Sequence, residues 1–360
     1  MISHFRNAQK VFCAFFAAFF GRPEIHCKAE MLMINYFKTV SGRMERLSAY
    51  ERDCWIDMVN PSDDEIEDIA ALTGIDETLL KAALDEEESA RLERDNNVIM
   101  CLMDTPVITD TDEGDIYETI PLSVLSNKEC LVTVCLRGNP VLGGFVSNRV
   151  SADTARPTSF LLSFMMGNAK VFRSNLRQID KKSLRVQAEL HRSMKNKELI
   201  QLLALENSLV YFSTALNATY SVYTKVGRLP SIAENEEYQE LFEDILIEAK
   251  QAAEMCNIYR DILSGTMDAY ASVISNNVNS VMKLLAVITF VIAVPTLIAS
   301  LWGMNVPVPF EGNVWGFWIV IGIAVVISVV AAVWIVHATN SVRIKTPRQV
   351  KRKRRGGGDH

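Results

Sequence analysis

"VMKLLAVITFVIAVPTLIASLWGMN", residues 281–305, is the stretch on which the reading of this chain turns. From 284 to 302 it holds 19 residues without a charge, and a second uncharged run of 23 follows at 314–336. Each reaches the roughly 20 residues needed to cross a bilayer core of about 30 Å. Two such runs side by side are rare in the core of a water-soluble domain. Between them lies "GMNVPVPFEGN" (303–313), which contains no Lys or Arg and one acid, Glu311.

Flanking charge sets the orientation. Arg343, Lys345, Arg348, Lys351, Arg352, Lys353, Arg354 and Arg355 follow the second run. The positive-inside rule places this tail in the cytoplasm and the connecting loop outside, and two crossings return the preceding domain to the cytoplasm. Trp302, Trp315 and Trp318 stand at the loop-side ends, where an aromatic belt belongs.

Steps of three and four from Asn279 give Asn279, Met282, Ala286, Thr289, Ala293, Thr296, Ser300 and Gly303. They form one helix face, small from Ala286 onward and bearing three hydroxyls. Two readings fit: a stripe for close helix packing, and a pore lining. The hydroxyls, the full membrane depth and the ending at Gly303-Met304-Asn305 favour the second. Gly and Asn also end helices commonly, through left-handed backbone. In a symmetric bundle, however, Asn305 and the free helix-end carbonyls would ring the mouth with neutral oxygen dipoles. Mg²⁺ dehydrates reluctantly, so a ring that binds the hydrated ion costs less than one that strips it.

Upstream, the pattern from 236 is helical with no Pro before Pro295. Leu241, Ile245, Ala249, Ala252, Met255, Tyr259, Ile262, Met267, Tyr270, Ile274 and Val278 recur at steps of three to five. One helix over 236–302 would be about 100 Å long. Its apolar stripe calls for like copies around an axis. Residues 33–150 mix strand-like runs, "MINYFKTV" (33–40), "NNVIMCLMDTPVI" (96–108) and "ECLVTVCL" (129–136), with a capped helix start at Ser62 and Glu65. "RGNPVLGG" (137–144) reads as a turn. Residues 157–228 read as two or three long helices that end at "KVGRLPS" (225–231).

The 360 residues are 49% hydrophobic with a formal charge of −6. Seven scattered Cys, without a C-x-x-C pair, argue against zinc ligation and a disulfide framework. No P-loop, H-E-x-x-H or G-x-S-x-G motif occurs. "VFCAFFAAFFG" (11–21) has the look of a short signal core but cannot span, and export would contradict the flanking charges. The working start is expected near Met31 or Met33, the alternative being a flexible or surface-bound N-terminus.

The paired C-terminal runs, the Gly-Met-Asn after the first and the basic tail resemble the CorA family of magnesium channels, over about residues 33–345. Trp302 stands where an aromatic precedes that motif. The resemblance implies a funnel-shaped homopentamer: an α+β cytoplasmic domain, then a long helical stalk and two transmembrane helices. Its parts would be an extension outside the fold (1–32), a cytoplasmic α/β domain (33–150), a helical region (151–235) and a stalk (236–280). A pore-lining span (281–302), an outer loop (303–313), a second span (314–337) and the basic tail (338–360) complete it.

The resemblance further implies a selectivity ring at Asn305 within Gly303-Met304-Asn305. Apolar gating rings would lie near Asn279, Met282 and Leu285, and a polar ring at Thr296. Mg²⁺ would be both transported and regulatory, with Asp268 in "SGTMDAY" (264–270) as the interfacial metal-site acid. Departures are the loop, where "VPVPFEGN" leaves Glu311 alone to attract cations, and Ala82, which occupies the place of the partner acid. Asp85 and Glu88, in the cluster 85–88, are the substitutes considered; a solvated helix end is the other reading of that cluster. Membrane lipid and like copies are the expected partners, with no nucleic acid and no organic cofactor. Transport of Co²⁺, Ni²⁺ or Zn²⁺ is the nearest alternative. A non-transporting membrane-anchored scaffold would leave the hydroxyl stripe unexplained, and an enzyme would lack a nucleophile or cofactor motif.

Overall fold

A computed structural model describes residues 33–95, 97–111, 114–193, 196–304 and 315–341. The chain divides into two compact units, residues 1–267 and 268–360.

The first unit is built on a seven-stranded sheet of β1 (Met33–Val40), β2 (Arg43–Leu47), β3 (Cys54–Val59), β4 (Arg91–Asp95), β5 (Val98–Thr111), β6 (Gly114–Ser126) and β7 (Cys130–Cys135). Their order is β2-β1-β3-β7-β6-β5-β4. Only β3 and β7 run parallel among these pairs, with Asp57 beside Thr133. The outer strands are short and charged: β2 carries Arg43, Glu45 and Arg46, and β4 carries Arg91, Glu93, Arg94 and Asp95. β5 and β6 run on as a two-stranded ribbon beyond their neighbours, since β4 pairs only as far as Leu102 and β7 only from Leu122. Pro106 and Pro121 both fall on this ribbon, where a missing N–H leaves no second ladder short of a donor.

One face of the sheet is covered by α1 (Asp63–Thr73) and α2 (Glu77–Lys81). Cys54, Ile56, Met58, Val132 and Val134 meet Ile66, Ile69, Leu79 and Leu80 there. The capping box that starts α1 is made as expected. Ser62 Oγ accepts from the Glu65 N–H at 3.3 Å, and Glu65 Oε2 accepts from the Ser62 N–H at 2.8 Å. Gly74, at φ 69°, ends the helix in the left-handed conformation that a side chain would resist.

The other face lies under α3 (Pro140–Val146), α4 (Pro157–Ser193), α5 (Asn196–Val226) and the short α6 (Pro230–Ala233). Trp55, Phe145 and Phe160 pack ring against ring at its centre. Residues 137–144, expected to form a turn, instead lead into α3: Pro140 occupies the first turn and Asn139 caps it. Proline's fixed φ suits that position, so the Asn-Pro pair starts a helix here. α5 is apolar and long enough to cross a membrane by composition, but 44% of its apolar window is buried inside the first unit. Leu202, Leu209, Phe212 and Leu216 spend that apolarity on the core.

α7 (Glu236–Trp302) is a single helix of 67 residues. Ile245, Ala249, Ala252, Cys256 and Leu263 are its buried positions, all in the first unit. The second unit holds the rest of α7 and α8 (Gly316–Ser341).

Deep in the first unit the Trp55 indole N–H donates to Thr133 Oγ1 at 2.8 Å, and the Thr133 hydroxyl donates to Asp57 Oδ1 at 2.8 Å. Burial pushes the Asp57 carboxyl up to about 6, only partly offset by the Thr133 bond. A carboxyl that holds its proton more tightly folded than unfolded favours the native state most below its unfolded pKa of about 4, and this contribution is lost as pH rises through 6. Asp57→Asn should therefore raise the thermal midpoint at neutral pH by several degrees, equivalent to about 2–3 kcal/mol. The gap should close toward pH 4. Melting curves of both proteins across this range check it; a gap independent of pH would exclude the buried charge as the cause.

Candidate functional site

The second unit places the small-residue stripe on the unshielded face of α7. Asn279, Met282, Leu285, Ala286, Thr289, Ala293, Thr296 and Ser300 are all exposed in the single chain. The half-buried residues of the same segment, Val287, Val294, Pro295 and Ile298, lie about half a turn round the helix, at 100° per residue. On α8 the shielded positions are the small residues Gly316, Ala324 and Ser328. None of these half-buried residues belongs to the hydroxyl line, although Leu284 and Val291 on their side of the helix are exposed. This bears directly on the two readings of the stripe.

Thr289, Ala293, Thr296 and Ser300, with Ile288, Ile292 and Leu297, line an open concavity of about 770 Å³. Thr289 Oγ1 donates to the Leu285 carbonyl at 2.9 Å, and Thr296 Oγ1 donates to the Ile292 carbonyl at 2.7 Å. Their protons are committed to the helix, which leaves oxygen lone pairs to face outward. Such a surface accepts hydrogen bonds from the water shell of a cation. Pro295 lies within α7 and has no N–H for the Val291 carbonyl four residues back. Met282 and Leu285 present 59% and 55% of their surface, one turn apart toward the first-unit end of the segment.

At the other end the Gly303 N–H donates to the Ala299 carbonyl at 2.9 Å, extending the ladder one step past α7. Gly303 does not adopt the left-handed conformation expected of a helix-ending glycine. A Cβ there would lie 3.2 Å from the Ala299 carbonyl oxygen, closer than side chains normally come. Met304 is exposed; Asn305 and Glu311 lie outside the described residues.

Asp268 is exposed on α7, and its backbone carbonyl accepts from Ser272 Oγ at 3.1 Å. Its carboxylate engages no described side chain within its unit. Asp85 and Glu88 belong to the first unit, just after the 3-10 turn Ala82–Leu84. Asp85 Oδ1 accepts from the Glu87 N–H at 3.0 Å. Glu88 is held by Arg91, with Nη1 2.8 Å from Oε1, and Glu86 lies 3.9 Å from the Arg137 guanidinium. Two acids of the cluster thus have basic partners, which the sequence pass missed; Glu88 lies in a loop and Arg91 on β4, so no helical spacing marked the pair. Among the described residues no group of three or more His, Cys, Asp or Glu side chains is gathered so as to hold a metal ion. A site that uses Asp268 would need ligands from elsewhere.

Comparison with known proteins matches this arrangement to one family. The model for "CorA-like Mg2+ transporter protein" covers residues 51–343. The cobalt/magnesium transport protein CorA of Methanocaldococcus jannaschii is 27% identical over 298 residues, 81% of this chain and 92% of that one. CorA of Thermotoga maritima is 36% identical over 94 residues, 26% of this chain and 27% of that one. The complete structure of the M. jannaschii CorA magnesium transporter aligns with a TM-score of 0.70 at 24% identity, over 84% of this chain and 96% of its own; this speaks for the fold. With most of its length inside the family match, the chain belongs to the CorA-like Mg²⁺ transporter proteins.

Proposed function

We propose that the protein is a passive channel that moves hydrated Mg²⁺ into the cytoplasm, with Co²⁺ as the second ion, since its relatives are named cobalt/magnesium transport proteins. The observation that carries this reading is the hydroxyl-bearing stripe, which is exposed along its whole length on α7. Copies arranged around an axis, as a pentamer, would bring these stripes together as a wall of lone pairs. The segments 281–302 and 314–337 span the membrane in this reading. The basic tail and the first unit lie in the cytoplasm. A divalent ion moving inward gains about 4.6 kcal/mol per 100 mV of inside-negative potential, at about 2.3 per charge. That needs no ATP.

In this scheme the Asn305 side chains meet the hydrated ion at the outer mouth. Asn305→Ala removes one amide per subunit there, so Mg²⁺ uptake into proteoliposomes should fall at least tenfold while the oligomer persists on size exclusion. Near-normal flux in an assembled variant would remove Asn305 from selection.

Met282 and Leu285 form the apolar constriction that closes by dewetting. Leu285→Asp should raise flux severalfold at internal Mg²⁺ levels that close the parent channel. An unchanged closed-state flux places the gate elsewhere.

Asp268 carries the feedback. Carboxylates from adjacent copies repel one another, and a bound Mg²⁺ bridges them, so Mg²⁺ favours the closed form through its higher affinity for that form. Asp85 and Glu88 are the candidate partners, Asp85 the freer of the two given the Arg91 pair on Glu88. Asp268→Asn should shift the Mg²⁺ concentration that protects the first unit from proteolysis upward by about tenfold, equivalent to 1.4 kcal/mol. The same shift should appear in the inhibition of flux. Unchanged protection and inhibition would dismiss Asp268.

A further inference from the structure

β3 and β7, the parallel pair, lie side by side in the sheet. The chain leaves the carboxyl end of β3 for α1 on one face and that of β7 for α3 on the other. In open α/β sheets this divergence opens a crevice in which ligands bind. A cavity of about 890 Å³ is found there, lined by Asp57 and Val59 from β3 and by residues 137–140 after β7. Its size falls within the roughly 300–1,000 Å³ of small-molecule sites.

Three buried polar side chains in its walls are not fully used by the fold. Asn139 is 7% exposed; its Oδ1 accepts from the Val141 and Leu142 N–H groups at 2.8 and 3.3 Å, while its Nδ2 has no partner. Asn175 on α4 is 5% exposed, and its amide makes no hydrogen bond to a described residue. Asp57 is 9% exposed and receives only the Thr133 hydroxyl. Buried amide groups without partners are uncommon in native proteins, and the Asn139 Nδ2 is one that lines this cavity. Phe37, Met44 and Leu142 supply apolar wall; Arg46, which also donates to Asn35 Oδ1, and Arg137, which also pairs with Glu118 at 3.4 Å, bring two guanidinium groups with donors to spare.

We propose that this cavity binds a nucleoside phosphate. The base lies on the apolar wall, with its polar edge toward Asn139 Nδ2 and the Asn175 amide. The ribose hydroxyls donate to Asp57. The phosphates meet Arg46 and Arg137, whose planar donor forks suit phosphate oxygens. Other ligand classes satisfy fewer of these groups. A bare metal ion would find the Asn139 oxygen already engaged and two guanidiniums opposed to it. An apolar ligand would strand the Asn139 amide and Asp57, and inorganic phosphate would be repelled by Asp57. Phosphate oxygens are also habitual partners of Mg²⁺, so such a ligand draws on the same ion that the proposed channel carries. The binding itself does not depend on the transport reading.

The test is calorimetric titration of the full-length protein in detergent with ATP, AMP and inorganic phosphate, each with and without Mg²⁺. Saturable binding of at least one nucleotide, one per chain, is expected, with none for inorganic phosphate. Val171→Trp, which fills the cavity from α4, should abolish it. The near-isosteric Asp57→Asn should weaken it by about tenfold in a protein that is no less stable, a combination that a purely structural aspartate would not produce. If Val171→Trp fails to fold, Asp57→Asn decides. No saturable heat with either nucleotide at millimolar concentration overturns the proposal. So does affinity unchanged in Asp57→Asn, or inorganic phosphate binding as well as the nucleotides.

Discussion

The segment of α7 past Asp268 presents Val273, Ile274, Val278, Val281, Met282, Leu284 and Leu285 to its surroundings, and the apolar run beyond them has no buried residue. Exposed apolar surface on this scale is not stable in water. Lipid can cover the Leu, Ile, Val and Phe positions. It has little to offer the Thr289–Thr296–Ser300 line, whose free lone pairs want donors that a hydrocarbon lacks. Water or like copies of the same line meet that demand. Thr289, Thr296 and Ser300 are all exposed, so the hydroxyl line is available for it. A line of oxygen acceptors along an otherwise apolar helix thus ties the second unit to its proposed work.

Much of this was legible locally. The uncharged runs, the capping box at Ser62, strand β1 and the period of the stripe depend on residues a few positions apart, and local spacing is what a sequence displays. β2 and β4 were missed because "RMERL" and "RLERD" are charged on alternate or adjacent positions and carry almost no apolar signal. The Asn139-Pro140 pair resembles turn chemistry, yet the same fixed φ serves a helix start. The cavity could not have been read. It depends on β3 pairing with β7, 76 residues away, and on their helices leaving to opposite faces. One hint was present: an aspartate inside "CWIDMV", where five of six residues are apolar.

Asp57 also links stability to binding. A buried carboxylate with a single hydroxyl partner holds its charge at a disadvantage. Trp55 and Thr133 fix one oxygen in place, so the group is oriented as well as buried. Oriented, under-solvated acids next to a cavity are common where proteins bind polar ligands. Burial likewise raises the Asp104 carboxyl to about 6, but Asp104 does not line the cavity.

The charged outer strands acquire a different meaning once several copies share an axis. In the proposed oligomer, tethering through membrane segments would hold the sheets of neighbouring subunits at an effective concentration in the millimolar range. At that density an apolar, unpaired strand edge would recruit its neighbour's edge and fuse the domains into a continuous sheet. Arg43, Glu45 and Arg46 at one edge and Arg91, Glu93, Arg94 and Asp95 at the other would have to surrender their hydration to allow it. In that proposed assembly these charges would keep crowded domains separable, so that subunits could shift against one another without sticking.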